Sequence, residues 1–195
     1  MTDPIARFGE LFARAATLPR DQVPEPTAFA LGTVDTSGQP SVRILLLKGF
    51  DERGFVFYTN HESRKGRELL ATRVAAMCFH WPHLEMQVRI EGGVEPVATE
   101  EADAYFATRP RGSQIGAWAS TQSRPMLKRE ELDARVAEFE KKFAGQTVPR
   151  PAHWSGFRLT PTRIEFWKGM ASRLHHRDLY VRGSDGSWSV QILYP

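Results

Sequence analysis

Ser63-Arg64-Lys65 follows Tyr58-Thr59-Asn60 almost directly and stands where a helix is predicted to begin. A helix start offers free N–H groups and the positive end of a dipole, so two cations there oppose stability unless an anion joins them. The pattern points to a phosphate site. A second candidate lies downstream, where Tyr105 and Arg109 are four apart and Ser113 follows just past Pro110. On one helix face a phenol and a guanidinium, with a hydroxyl close by, are fitted to hold a second phosphate. A packed Tyr beside a surface Arg explains the spacing equally well. Arg43 and Lys48 bracket the apolar run Ile44-Leu45-Leu46-Leu47. Five strand residues span about 16 Å, the length of a mononucleotide, yet odd and even positions of a regular strand face opposite ways. The pair therefore needs a bulge or serves two ligand regions, and two solvated strand ends are the plainer alternative.

Ser113-Gln114-Ile115-Gly116-Ala117-Trp118-Ala119-Ser120 is too rich in small and polar residues to be plain core. Gln87 and Gln122-Ser123 add amide and hydroxyl groups that suit the edge of a heterocycle or a phosphate. Near the end of the chain Trp167 precedes Arg173-Leu174-His175-His176-Arg177. Adjacent histidines cannot readily share one metal in regular structure and no nearby acid completes a ligand set, so no metal is expected. The single cysteine, Cys78, sits in the apolar run Val74–Phe79 and reads as a small buried hydrophobe rather than a nucleophile. It excludes an intramolecular disulfide and fits a reducing compartment, so the cytoplasm is the expected location.

The elements that must position these residues are short. Ile5, Phe8, Leu11 and Phe12 recur at helical spacing and predict an opening amphipathic helix. Strands are predicted over 27–34, 42–48, 55–59, 74–80, 85–91, 157–159, 164–167, 179–181 and 188–193, with helices near 63–72, 99–109 and 128–144. Ser63 is the predicted cap of the first of these helices, and Asp185-Gly186 a hairpin turn. Many antiparallel strands with a few helices between them imply a mainly β, α+β fold: a closed barrel with helical additions, in one domain over 1–195. With 41% hydrophobic and 25% charged residues the chain is globular rather than disordered, and a net charge of +3 is too small to imply nucleic acid. The start Met1-Thr2-Asp3-Pro4 is unlike a signal peptide, and no run is long and apolar enough for a membrane helix. No glycine-rich phosphate loop occurs, so a nucleotide-like ligand must be held by side chains.

Taken in order, Arg43–Lys48, Phe57-Tyr58-Thr59-Asn60, Ser63-Arg64-Lys65, Tyr105-Phe106 through Arg109-Pro110, Ser113–Trp118, Glu165-Phe166-Trp167 and Arg173-Leu174-His175 resemble successive motifs of the pyridoxine/pyridoxamine 5'-phosphate oxidase family. The resemblance runs along nearly the whole chain. It implies an FMN-binding split β-barrel that forms a homodimer with FMN at the subunit interface. It also implies FMN-dependent oxidation of pyridoxine or pyridoxamine 5'-phosphate by O2 to pyridoxal 5'-phosphate. By position, the family's cofactor residues fall on Arg43, Ile44, Leu45, Leu46, Leu47, Lys48, Tyr58, Thr59, Arg64, Lys65, Gln87, Gln122, Ser123, Trp167 and Arg177. Its substrate residues fall on Lys48, Tyr105, Arg109, Ser113, Arg173, Leu174 and His175, with Arg173 and His175 in the catalytic role. Departures from the family pattern stand at Met86, Met170, His176 and Ile192 and bear on substrate preference more than on fold. A phenazine-biosynthesis type oxidase on the same scaffold would lose the phosphate clamp, which is present here. A non-catalytic FMN or pyridoxal-phosphate binder would have no use for Arg173 and His175.

Overall fold

The computed structural model describes residues 3–195. It opens with α1 (Pro4–Thr17), capped by the Asp3 side chain accepting from the Ile5 backbone N–H at 3.1 Å. The apolar stripe of α1 drives Phe8 into a ring of aromatics, with Phe12, Phe50, Phe55, Phe79 and Trp81 at centroid distances of 4.9–6.0 Å. This is the main core, which fills the barrel with Leu31, Phe57, Val88, Ile90, Phe157 and Phe166 among others.

The strands are β1 (Ala28–Val34), β2 (Pro40–Leu46), β3 (Gly49–Asp51), β4 (Gly54–Asn60), β5 (Val74–Trp81), β6 (Met86–Pro96), β7 (Trp154–Lys168), β8 (His176–Arg182) and β9 (Trp188–Ile192). All pairings are antiparallel, in the order β2-β1-β5-β6-β7-β4-β3, with β8 on β7 and β9 on β8. The two ends of this order are one stretch of chain. Leu47 N–H still donates towards β1, to the Thr27 carbonyl, whereas Lys48 N–H already donates to Val56 of β4. The barrel thus closes at Leu47-Lys48, where one strand changes partners, with little overlap.

Two predicted strands, 157–159 and 164–167, are halves of the continuous β7. Pro161 sits in its middle, which a sheet tolerates only at a bulge. The register does shift there, between Glu91 and Gly92 of β6. Gly92 is required at that crossing, because a Cβ would stand 2.0 Å from the Thr160 carbonyl oxygen.

The helices are α2 (Arg64–Thr72), α3 (Thr99–Thr108), α4 (Arg111–Ala119) and α5 (Glu130–Lys142). The sequence reading missed α4 entirely. Its small residues hide a buried face, Gln114, Ile115 and Ala119, of which Ile115 packs into a second core with Phe106, Phe143, Val148 and Trp154 and Gln114 donates to the Phe106 carbonyl at 2.9 Å. Arg109 also differs from expectation. It lies beyond the end of α3 in extended backbone (φ −71°, ψ 146°), so it does not share a helix face with Tyr105. No helix among the described residues is long and apolar enough to cross a membrane, and none of them form a cluster of three or more His, Cys, Asp or Glu side chains suited to a metal.

Candidate active site

The first group is built on the start of α2. Ser63 caps the helix: its fully buried hydroxyl accepts from the Gly66 N–H at 3.2 Å and donates to the Asn60 carbonyl at 2.7 Å. Gly66 lets the turn press onto the preceding strand end, since a Cβ there would come within 2.5 Å of the His61 and Asn60 carbonyl oxygens. Arg64 turns back along the helix to Glu68 at 2.8 Å. Arg43 reaches the same carboxylate from β2 at 3.4 Å and also donates to Thr33 and Ser41. Lys65 points the other way, to Gln122 Oε1 at 3.0 Å and Thr59 Oγ1 at 3.3 Å.

Two of these three cations, Arg43 and Arg64, share the Glu68 carboxylate, and Lys65 bonds only to neutral groups. Burial would raise the Glu68 carboxyl, but hydrogen bonds from Thr33, Ser41 and Arg64, with the Arg43 charge, hold it below the ordinary carboxylate range. Burial, with Arg43 nearby, pushes the Lys65 amine below the ordinary lysine range, and burial likewise lowers Arg43. Such a surplus of partly desolvated positive charge at a helix start is chemically suited to a phosphate dianion.

The second group gathers around Lys48, at the barrel corner. Arg43 and Lys48 do part company as strand alternation requires: β1 and β2 pair without a bulge, Arg43 joins the Glu68 cluster, and Lys48 faces a different cavity. That cavity, about 400 Å³, is lined by Lys48, Leu46, Tyr58, Tyr105, Arg109 and Ser113. A neighbouring hollow of about 250 Å³ shares Arg109 and Ser113 and continues to Gln122. The guanidinium of Arg109 lies over Trp154 at 4.5 Å, and its Nη1 is buried without a hydrogen-bond partner. Burial also lowers its pKa. A buried, unpartnered guanidinium nitrogen is costly by itself and is satisfied by an anion placed in the hollow. Tyr58 stacks on Tyr105 at 4.0 Å and on Trp154 at 5.3 Å, and burial holds its phenol neutral, with the pKa pushed up to about 12.

The third group lies at the other end of β7. Gln87, Trp167 and Arg177 are direct partners across β6, β7 and β8 and form one row on one face. Arg177 is fixed by the buried Glu165, at 2.8 and 3.2 Å, which also binds Arg89 at 2.8 Å. The turn after β7 carries Ser172 and Arg173 in the left-handed region, φ 57° and 61°. Two consecutive non-glycine residues there are strained, and such strain is characteristic of functional turns. His175 packs on Trp167 at 4.5 Å, while Leu174 is exposed.

Other expected residues are placed less directly. Leu45 and Leu47 turn their side chains into the core, Ile44 faces outward, and only Leu46 of that run lines the cavity. Ser123 is exposed in a loop with φ 69°. Met86 and His176 lie on the reverse face from the Gln87–Trp167–Arg177 row, paired through Lys168, and Ile192 is exposed on β9. The sequence reading missed Glu68, Trp154, Glu165 and Arg89. Glu68 was discoverable from its i,i+4 spacing to Arg64; the others meet their partners only across strands.

The first and third groups are separated by most of β7. From Ser155, paired with Thr59, to Trp167 the strand covers roughly 40 Å if straight. No hydrogen bond or ion pair among the described residues links the two groups.

Known proteins share much of this sequence and this fold. Residues 19–168 match the pyridoxamine 5'-phosphate oxidase family, and residues 154–195 match the pyridoxine 5'-phosphate oxidase C-terminal dimerisation region. The pyridoxine/pyridoxamine 5'-phosphate oxidase of Myxococcus xanthus DK1622 is 61% identical, over 99% of this chain and 92% of its own length. That of Cupriavidus pinatubonensis is 54% identical, over 99% and 89%. Among solved structures, the PhzG protein of Burkholderia lata 383, in complex with tetrahydrophenazine-1-carboxylic acid, superposes with a TM-score of 0.89 at 32% identity, covering 100% of this chain and 94% of that one. An FMN-binding protein of Nostoc punctiforme, at 16% identity and TM-score 0.77, shares the fold. By motif, by fold and by sequence along its whole length, the chain belongs to the pyridoxamine 5'-phosphate oxidase family.

Proposed function

We propose that the chain oxidises pyridoxine 5'-phosphate or pyridoxamine 5'-phosphate to pyridoxal 5'-phosphate, with FMN as cofactor and O2 as final electron acceptor. The observation that carries this reading is the cavity of Lys48, Tyr105, Arg109 and Ser113, whose buried Arg109 Nη1 has no partner in the protein. A substrate phosphate supplies that partner, and two cations with two hydroxyls then hold it at several oxygens. FMN fits the remainder of the site. Arg43, Arg64 and Lys65, with Gln122 and Ser123, take its phosphate end, where the cations outnumber the acids; Tyr58 and Thr59 lie alongside. Gln87, Trp167 and Arg177 line the rest.

Because those last three stand at the far end of β7, a second copy of the chain supplies them, together with Arg173, Leu174 and His175. The protein works as a homodimer, in keeping with the dimerisation region matched by residues 154–195. The two family matches overlap on β7, which pairs with β4, β6 and β8, and this supports one domain over 1–195. The lone Cys78 favours the cytoplasm.

When bound, FMN supplies acceptance of a hydride equivalent from the substrate's C4' carbon and its delivery to O2, giving H2O2. The chain's own residues orient the reaction. The phosphate clamp fixes one end of the substrate, so C4' is held at a single distance and angle. Arg173, on its strained turn, positions the pyridine ring and polarises the C4' hydroxyl or amine. With the amine substrate, water completes the reaction and ammonia leaves.

A phenazine-type substrate is the second reading, favoured by the similarity to PhzG. The same experiment separates the two. The purified yellow protein is mixed with pyridoxine 5'-phosphate without oxygen, and its visible band bleaches, then returns in air with pyridoxal phosphate formed. A yellow protein that bleaches with neither the alcohol nor the amine has another substrate, and one that takes up no FMN overturns the reading.

A further inference from the structure

The turn that carries Arg173 is closed by an unusual hydrogen bond. The backbone N–H of Met170 donates to Nδ1 of His175 at 3.2 Å. A backbone N–H can only donate, so Nδ1 must be the unprotonated, accepting nitrogen, and the proton of the neutral imidazole sits on Nε2. A half-turn of the ring would set carbon Cδ2 against that N–H and forfeit the bond. Trp167 packs against the ring at 4.5 Å, tilted by 41°, and limits other positions. The Met170 amide is itself held in place. Gly169 N–H donates to the Glu85 carbonyl at 2.8 Å, and Leu174 N–H to Ala171 at 3.2 Å. Gly169 is packed so closely that an added Cβ would meet Glu85 at 3.3 Å. The left-handed Ser172 and Arg173 bring the chain round so that His175 returns to Met170. The strain of the turn is thus spent on fixing one nitrogen of one ring.

We infer that His175 is locked by the Met170 amide as the Nε2–H tautomer, and that it serves the reaction as a hydrogen-bond donor to an acceptor oxygen or nitrogen of the bound phosphorylated pyridine, not as the base that removes its proton. Nε2–H makes no hydrogen bond within the described chain, so it is free for the ligand. Met170 is a positioning residue through its main chain alone, which is why a methionine serves at this place. The functional half of this inference rests on the substrate reading above; the tautomer does not.

The test uses the FMN-loaded enzyme with 15N-labelled histidine. Long-range proton–nitrogen correlation spectra read the tautomer of each ring, and the His175 signals are those that vanish in His175→Gln. A proton on Nε2 and an unprotonated Nδ1 are expected; a proton on Nδ1, or an exchanging mixture, overturns the inference. Turnover then separates donor from base. Loss of a directed donor in His175→Ala should lower kcat by about 100-fold. The His175→Gln carboxamide, whose N–H2 can stand near the position of Nε2–H, should recover about tenfold of that loss, provided its FMN content matches the wild type. A glutamine variant no better than the alanine one overturns the donor role. If the wild-type enzyme turns over neither phosphorylated vitamer, the substrate reading fails, and the spectra still decide the tautomer.

Discussion

The two ends of β7 hold opposite kinds of chemistry. Around Thr59 and Ser155, Arg43, Arg64, Lys65 and Arg109 outnumber their acid partners, and one guanidinium nitrogen is buried with none. Around Trp167 both strand arginines already have a protein partner: Glu165 holds Arg89 and Arg177, and the polar atoms left over are donors on a strained turn. The first region carries partly buried positive charge that is costly without an anion beside it, and under the proposed function it is an anion trap. The second is self-sufficient and offers orientation and stacking. A reaction between two phosphorylated molecules needs both, and the length of β7 keeps them apart within one chain.

That contrast has a sharp test. Arg109→Met and Arg173→Ala each disable one region, and each alone should lower kcat/KM by about 100-fold or more, the scale for removing one partner of a buried charged contact. Refolded together, they form mixed dimers in which one of the two sites receives both intact regions. About a quarter of wild-type activity should then return, since half of the dimers are mixed and each has one good site. No recovery would mean that both regions of a site belong to the same chain.

The next effect concerns the anion trap. Lys65→Met should weaken FMN binding by about 10- to 100-fold, the loss of a charged hydrogen bond, read by flavin fluorescence. The same change should raise the thermal stability of the cofactor-free protein at neutral pH. Burial lowers the Lys65 pKa in the fold, so between that value and the ordinary lysine range the unfolded chain binds more protons, and stability rises with pH. At neutral pH, well below the ordinary lysine range, a cost of burying the charge is present, and methionine removes it. A variant that binds FMN weakly and is also less stable would show that Lys65 is a structural residue.

The internally paired region behaves differently. Glu165 is 3% exposed between two arginines, and Glu165→Gln should cost about 3 kcal/mol in urea unfolding, towards the lower end for a broken buried pair because Arg89 is 42% exposed. A stability change near zero would mean that the two arginines need no buried counter-charge.

How much of this was legible in the sequence follows the same division. Lys65, Arg64 and Ser63 could be read locally because a helix start has a chemical signature, and β1, β4, β5 and β8 follow from apolar runs between turn residues. The closing corner at Leu47-Lys48 could not, because a strand that changes partners looks like any other strand. Helix α4 was hidden by Gly112, Ser113 and Gly116, whose low helix propensity is overridden by burial of Ile115 in the cluster with Phe106. Arg109 does line one cavity with Tyr105 and Ser113, but for a different local reason: the chain leaves α3 and turns at Pro110, and Arg109 does not follow Tyr105 by one helical turn. Glu165 and its arginines meet across strands, and strand register is not written in any short segment.

The smallest effect probes whether the anion trap depends on its scaffold. Ser63→Ala removes the cap of α2, leaving the Gly66 N–H without its acceptor, while the Asn60 carbonyl keeps only the Ser63 backbone N–H of its two donors from that residue. The expected cost is about 1 kcal/mol in chemical unfolding, the usual value for a lost N-cap. FMN affinity should fall less than in Lys65→Met, because the helix start persists and its N–H groups still point at the ligand. If Ser63→Ala instead weakens FMN as much as Lys65→Met while leaving stability unchanged, the hydroxyl is a ligand of the phosphate rather than the cap of the helix. The trap would then be built from side chains alone.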